Sequence, residues 1–73
     1  MRLPLLSSKE LIKILAKAGY APVRQKRSHI RLICGGRPPI TVPDYRVVDR
    51  SLLKMILREA NLSDRDFLNL LNK

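Results

Sequence analysis

The chain has one histidine, His29, and it lies within Gln25-Lys26-Arg27-Ser28-His29-Ile30-Arg31, among three cations and a hydroxyl. This set suits chemistry on a phosphodiester. RNA carries its own nucleophile, the 2′-hydroxyl, so cutting the strand requires a base for that proton, positive charge beside the phosphate and a proton for the departing 5′-oxygen. Histidine has an ordinary pKa of about 6.5, which fits it for proton exchange near neutrality. His29 is therefore the candidate acid or base. Lys26, Arg27 and Arg31 can steady the extra negative charge of the transition state, and Ser28 can donate to a phosphate oxygen. A single imidazole cannot act as base and acid in one step, so a second donor is needed among Lys26, Tyr20, Tyr45 and water.

Other chemistries find less support. His29 and Cys34 are each single and the six carboxylates are scattered without ligand spacing, so neither a metal nor another cofactor is expected. A serine hydrolase lacks an orienting acid, and adjacent positions on a strand point Ser28 and His29 to opposite sides. Cys34 reads as a small buried apolar residue. It has no partner for a disulfide, so a reducing cytoplasm is the expected compartment.

The basic surplus of 15 lysines and arginines over 6 acidic residues, a net charge of +9, is the footprint of a polyanion binder. It is densest between Tyr20 and Arg50, where Arg24, Lys26, Arg27, Arg31 and Arg46 are the candidate RNA contacts. With only Tyr20, Tyr45 and Phe67 as aromatics, a platform that stacks successive bases is not expected. No apolar run reaches the roughly 18 residues of a membrane span, so no membrane partner is expected.

At 73 residues the chain reads as one domain, residues 1–73, with a core small enough to gain from a partner. Ser7-Ser8-Lys9-Glu10 has the form of a capping box that opens a helix. Leu11, Ile12, Leu15 and Ala16 are its expected apolar stripe, Lys9, Lys13 and Lys17 a solvated row, and Gly19 its stop. From Tyr20 the period becomes two: an edge strand to Lys26 that tolerates Pro22, a tight connection at Arg27-Ser28, and a strand His29–Cys34. On that strand Ile30, Leu32 and Cys34 share one face and His29, Arg31 and Ile33 the other. Gly35-Gly36 signals a hairpin into a third strand, Pro38–Pro43. Asp49 or Ser51 caps a second helix with the stripe Leu52, Leu53, Ile56, Leu57 and Ala60, stopped at Asn61. Ser63-Asp64-Arg65-Asp66 opens a last short helix carrying Phe67, Leu68 and Leu71. The economical arrangement is α+β, in the order α-β-β-β-α with a short C-terminal helix. Its three-stranded antiparallel sheet carries the helices on one face, and His29 and Arg31 lie on the other.

Taken in order, Lys9-Glu10-Leu11-Ile12, Gly19-Tyr20, Arg24-Gln25-Lys26, Ser28-His29, Thr41-Val42-Pro43, Leu52, Ile56-Leu57 and Phe67-Leu68 resemble the HicA (YcfA-like) toxins of bacterial and archaeal toxin–antitoxin pairs. The resemblance covers most of the chain. It implies a fold like that of a double-stranded-RNA-binding domain and an mRNA interferase activity, an endoribonuclease held inactive by a HicB antitoxin. It also implies that His29, which matches the histidine of the family's Gly-Ser-His motif, is catalytic. Arg27 stands where that motif has glycine, Tyr45 where a histidine is common after the Val-Pro pair, and Arg50 where a glycine usually opens the second helix. The competing classes are a non-catalytic double-stranded-RNA-binding module, which would use the same cations on phosphates and 2′-hydroxyls, and an inactive HicA-like protein acting through partner binding.

Overall fold

The structure is a computed structural model and describes residues 3–73. Its elements are α1 (Ser8–Ala16), β1 (Ala21–Lys26), β2 (His29–Cys34), β3 (Arg37–Pro43), α2 (Arg50–Glu59) and α3 (Asp64–Leu71). The strands form one antiparallel sheet in the order β1-β2-β3. The expected α+β arrangement, like that of a double-stranded-RNA-binding domain, is the one observed.

Local chemistry accounts for where each helix begins and ends. Ser7 and Glu10 close the capping box of α1, the Ser7 Oγ accepting from the Glu10 amide at 3.2 Å and the Glu10 carboxylate from the Ser7 amide at 3.0 Å. Ser63 and Asp66 do the same for α3, and of the two candidates for α2 it is Asp49 that accepts from the Leu52 amide. Gly19 (φ +104°) and Asn61 (φ +59°) each turn the chain into the left-handed region after a helix, with the Tyr20 amide reaching back to the Leu15 carbonyl and the Leu62 amide to the Leu57 carbonyl. These are paired Schellman closures, and they satisfy carbonyls that a helix end otherwise leaves unbonded.

The core gathers Leu11, Ile14 and Leu15 of α1, Leu32, Ile40 and Val42 of the sheet, Leu53, Ile56 and Leu57 of α2, and Phe67 of α3. One detail differs from expectation. Ile14 is buried and Ala16 exposed: the stripe of α1 is centred on Leu11 and Leu15 and flanked by Ile14, with Ile12 and Ala18 half-buried against the core. On the sheet the alternation holds: Leu32 is buried, Ile30 and Cys34 are half-buried, and His29, Arg31 and Ile33 are exposed. All six residues of β1 are exposed, as suits an edge strand.

Three cations have structural tasks. Lys17 donates from Nζ to the Leu70 and Lys73 carbonyls, both at 3.1 Å, and closes the end of α3. Arg37 donates to the Ala60 and Asn61 carbonyls at 3.1 and 2.9 Å and closes the end of α2. Arg50, the first residue of α2, donates from Nε to the Leu3 carbonyl at 2.6 Å and fastens the segment that precedes α1. That segment also pairs with the loop before α2 through an antiparallel bridge between Leu6 and Val48.

Candidate functional site

The register of the sheet decides what His29 stands beside. Antiparallel partners share a face, with Cβ atoms about 4.5–5.5 Å apart, and His29 is paired with Lys26 on β1 and with Pro43 on β3. In the next outward-facing row Arg31 is paired with Arg24 and with Thr41. Lys26, His29, Arg24 and Arg31 thus form two adjacent cross-strand rows on the face that the helices leave open. A bulge lies just beyond these rows. Between Pro22 and Arg24 the strand has one residue more than β2, so Val23 falls out of register. Plain alternation would put Pro22 on the face of Arg24 and Lys26; the extra residue replaces it there with Ala21.

Arg27 and Ser28 form the two-residue connection between β1 and β2. Of these two only Arg27 has a positive φ, +58°, the φ signature of a type II′ turn, whose first central position favours glycine. The side chains of Arg24, Lys26, Arg27, Arg31 and Arg46 are exposed and make no hydrogen bond or ion pair among the described residues. The single ion pair among those residues, Lys54 with Asp64 at 3.4 Å, lies on the helices. The cations around His29 are therefore not neutralised by carboxylates of the chain.

The loop after β3 is held against the same end of the sheet. The Asp44 amide donates to the Ser28 carbonyl at 2.7 Å. Ser8, wholly buried at the start of α1, donates from Oγ to the Pro43 carbonyl and accepts from the Tyr45 amide at 2.8 Å, while its own amide donates to the Tyr45 carbonyl at 3.0 Å. Arg46 is thereby placed off the sheet, in the wall of a hollow of about 350 Å³ shared with Ser7, Lys9, Asp44 and Tyr45. Of the residues singled out from the sequence, the register sets Lys26 across from His29 and Arg24 across from Arg31 in the next row, Arg27 and Ser28 form the turn before His29, and Arg46 lies in this neighbouring hollow. Lys9, read from the sequence as part of a solvated row, is in the same wall; its signal was its position in the first turn of α1, next to the Ser7 cap.

Of the second proton donors, Tyr20 is removed. It is buried, and its hydroxyl donates to the Pro38 carbonyl at 2.7 Å, at the end of the sheet away from His29. Burial raises its pKa further above the ordinary phenol range. Lys26, directly across from His29, and the half-exposed Tyr45 remain at the correct end. Among the described residues no three His, Cys, Asp or Glu side chains come together in a group that could hold a metal ion.

The α-β-β-β-α order, with a three-stranded antiparallel sheet and a short C-terminal helix, has the arrangement of a double-stranded-RNA-binding domain. The particular family follows from comparison: the family model described as HicA toxin of bacterial toxin–antitoxin matches residues 8–62, and the chain belongs to that family. Membership implies an antitoxin partner. No curated protein and no solved structure matches the chain. No helix among the described residues is long and apolar enough to cross a membrane.

Proposed function

We propose that this toxin is a metal-independent endoribonuclease that cuts mRNA in the cytoplasm and is held in check by a HicB-like antitoxin. The observation that supports this reading best is the pair of exposed rows, Lys26 with His29 and Arg24 with Arg31, on the open face of the sheet. In the proposed reaction His29 takes the proton of a 2′-hydroxyl and that oxygen attacks the adjacent phosphorus. The bond to the 5′-oxygen breaks, and the departing oxygen takes a proton from Lys26, Tyr45 or water. The products are a 2′,3′-cyclic phosphate and a 5′-hydroxyl end, with no net oxidation or reduction. Arg24, Arg27, Arg31 and Arg46 bind phosphates, and Arg31 lies closest along the strand to the charge that develops. Ser28, at the turn, contributes a hydroxyl.

The test is cleavage of a long unstructured RNA in EDTA by the wild type and by His29→Ala, both first shown by circular dichroism to be folded. Cutting by the wild type alone, with 2′,3′-cyclic phosphate ends, is the expected result; removal of a general acid or base lowers the rate by about 10²–10⁴-fold. If neither protein cuts but both bind RNA in a salt-sensitive way, the chain is a binding module and the catalytic reading fails.

A further inference from the structure

The hollow beside the sheet has the features of a ligand site, and the reaction above draws on it only through Arg46 as a phosphate contact and Tyr45 as one candidate proton donor. Its volume, about 350 Å³, is at the lower end of the range for small-ligand sites, about 300–1,000 Å³. Two cations, Lys9 and Arg46, and one aromatic, Tyr45, stand in its wall, and Tyr45 is 51 % exposed. Neither cation makes a hydrogen bond or ion pair among the described residues. The wall is fixed from two sides, since Ser8 holds the Tyr45 backbone at both amide and carbonyl and Ser28 holds Asp44. Walls held this way do not have to be ordered at the moment of binding.

The position of the hollow identifies its occupant. Asp44 follows Pro43, the cross-strand partner of His29, so the hollow begins one residue from the row in which the scissile phosphate is proposed to lie. A nucleic-acid chain bound at His29 continues either over the sheet, across Arg24 and Arg31, or into this hollow. An aromatic residue with two adjacent cations accepts one base and its phosphate. A base can reach an aromatic residue in a hollow only when it is not paired and stacked in a helix.

We propose that the hollow is a subsite for one unpaired nucleotide next to the cleaved bond, in which Tyr45 stacks on the base and Lys9 and Arg46 hold its phosphate. This rests on the ribonuclease reading given above. It also selects the substrate: single-stranded RNA is preferred over duplex at this site, although the fold resembles that of a duplex binder. Asp44, the one carboxylate in the wall, can accept from the N–H donors on the edge of the stacked base.

The test uses short unstructured oligoribonucleotides, methylated at every 2′-oxygen so that they cannot be cut, with binding followed by fluorescence anisotropy over a range of salt concentrations. The wild type is expected to bind a single strand more tightly than the same sequence in duplex form. Tyr45→Ala should weaken single-strand binding by about tenfold while leaving the salt dependence unchanged, and Tyr45→Phe should restore it. Lys9→Ala and Arg46→Ala should each reduce the slope of log affinity against log salt by about 0.7. Both residues are exposed, so these variants remain informative if Tyr45→Ala melts early. Wild-type affinity and slope in Lys9→Ala and Tyr45→Ala, with weakened binding in Arg24→Ala, would confine the RNA to the sheet. That outcome overturns the subsite and leaves the ribonuclease reading standing. Absence of any salt-dependent RNA binding by the wild type overturns the ribonuclease reading itself, and the subsite with it.

Discussion

Replacing Arg27 with glycine should make the protein more stable and a poorer RNA binder at the same time. The residue holds a φ of +58° in the turn between β1 and β2, a region that costs a residue with a Cβ about 1–2 kcal/mol. Glycine does not meet that cost, but it gives the unfolded chain extra freedom worth about 0.4–1 kcal/mol in the opposite sense. The arginine side chain makes no hydrogen bond among the described residues, so little else is lost from the folded state. The mid-range difference is a net stabilisation of about 0.8 kcal/mol, and at about 4–8 °C per kcal/mol for a chain of this size it raises the melting temperature by roughly 3–6 °C. Arg27→Ala serves as the control, because alanine keeps the strained backbone and removes the guanidinium. Thermal melts followed by circular dichroism should rank the glycine variant above both wild type and alanine variant. Both variants should bind RNA less tightly, with a salt slope lowered by about 0.7–0.9. A glycine variant that melts at or below the alanine variant would refute the claim that Arg27 strains the turn, and unchanged binding in both would remove Arg27 from the RNA contacts.

Two further outcomes are expected. Ser8→Ala leaves the Tyr45 amide only its 3.1 Å bond to the Pro43 carbonyl inside a buried corner, which should cost about 1–2 kcal/mol and lower the melting temperature by roughly 4–16 °C; an unchanged melt would show that Ser8 does not hold the loop. The Ser7 backbone and side-chain hydrogen bonds hold the pKa of Glu10 below the usual carboxylate range, and those of Ser63 do the same for Asp66. Because these values are depressed in the folded state, the stability they contribute is present above the ordinary carboxylate pKa and is lost as pH falls through the lowered ones. Melts from about pH 6 down to about pH 2 should therefore fall less steeply for Glu10→Gln/Asp66→Asn than for the wild type, and parallel curves would refute the linkage.

Much of the architecture was legible because each local signal agreed with the others. Ser7 with Glu10 and Ser63 with Asp66 announced two helix starts, Gly19 and Asn61 two stops, and the two-residue period of His29–Cys34 its exposed and buried faces. What was not legible depends on registers that no local pattern encodes. Val23 gives no sign of being a bulged residue, yet that bulge brings Ala21 and not Pro22 into the outward-facing column of Arg24 and Lys26. The hollow was equally hidden. Lys9 and Arg46 are far apart in the chain and meet only because Ser8 holds the loop that follows β3.

The structure also divides the cations by task, and this bears on how the three departures from the family pattern are to be understood. By charge alone Lys17, Arg37 and Arg50 are as good RNA ligands as Arg24 or Arg31. In the fold each instead donates to backbone carbonyls, those at the ends of α3 and α2 and that of Leu3. Arg50 in place of a glycine is thus a structural substitution, which fastens the segment before α1 and thereby supports the Leu6–Val48 bridge behind the hollow. Arg27 is the reverse case, a side chain that adds a cation at the tip of the β1–β2 turn while the backbone bears the strain that glycine would avoid. Tyr45, in place of a histidine, supplies a half-exposed aromatic surface at the end of the sheet where His29 lies. By position, Arg50 ties down the segment before α1, whereas Arg27 and Tyr45 lie on the surface proposed to meet RNA, which is why the RNA-binding measurements above centre on those two and not on Arg50.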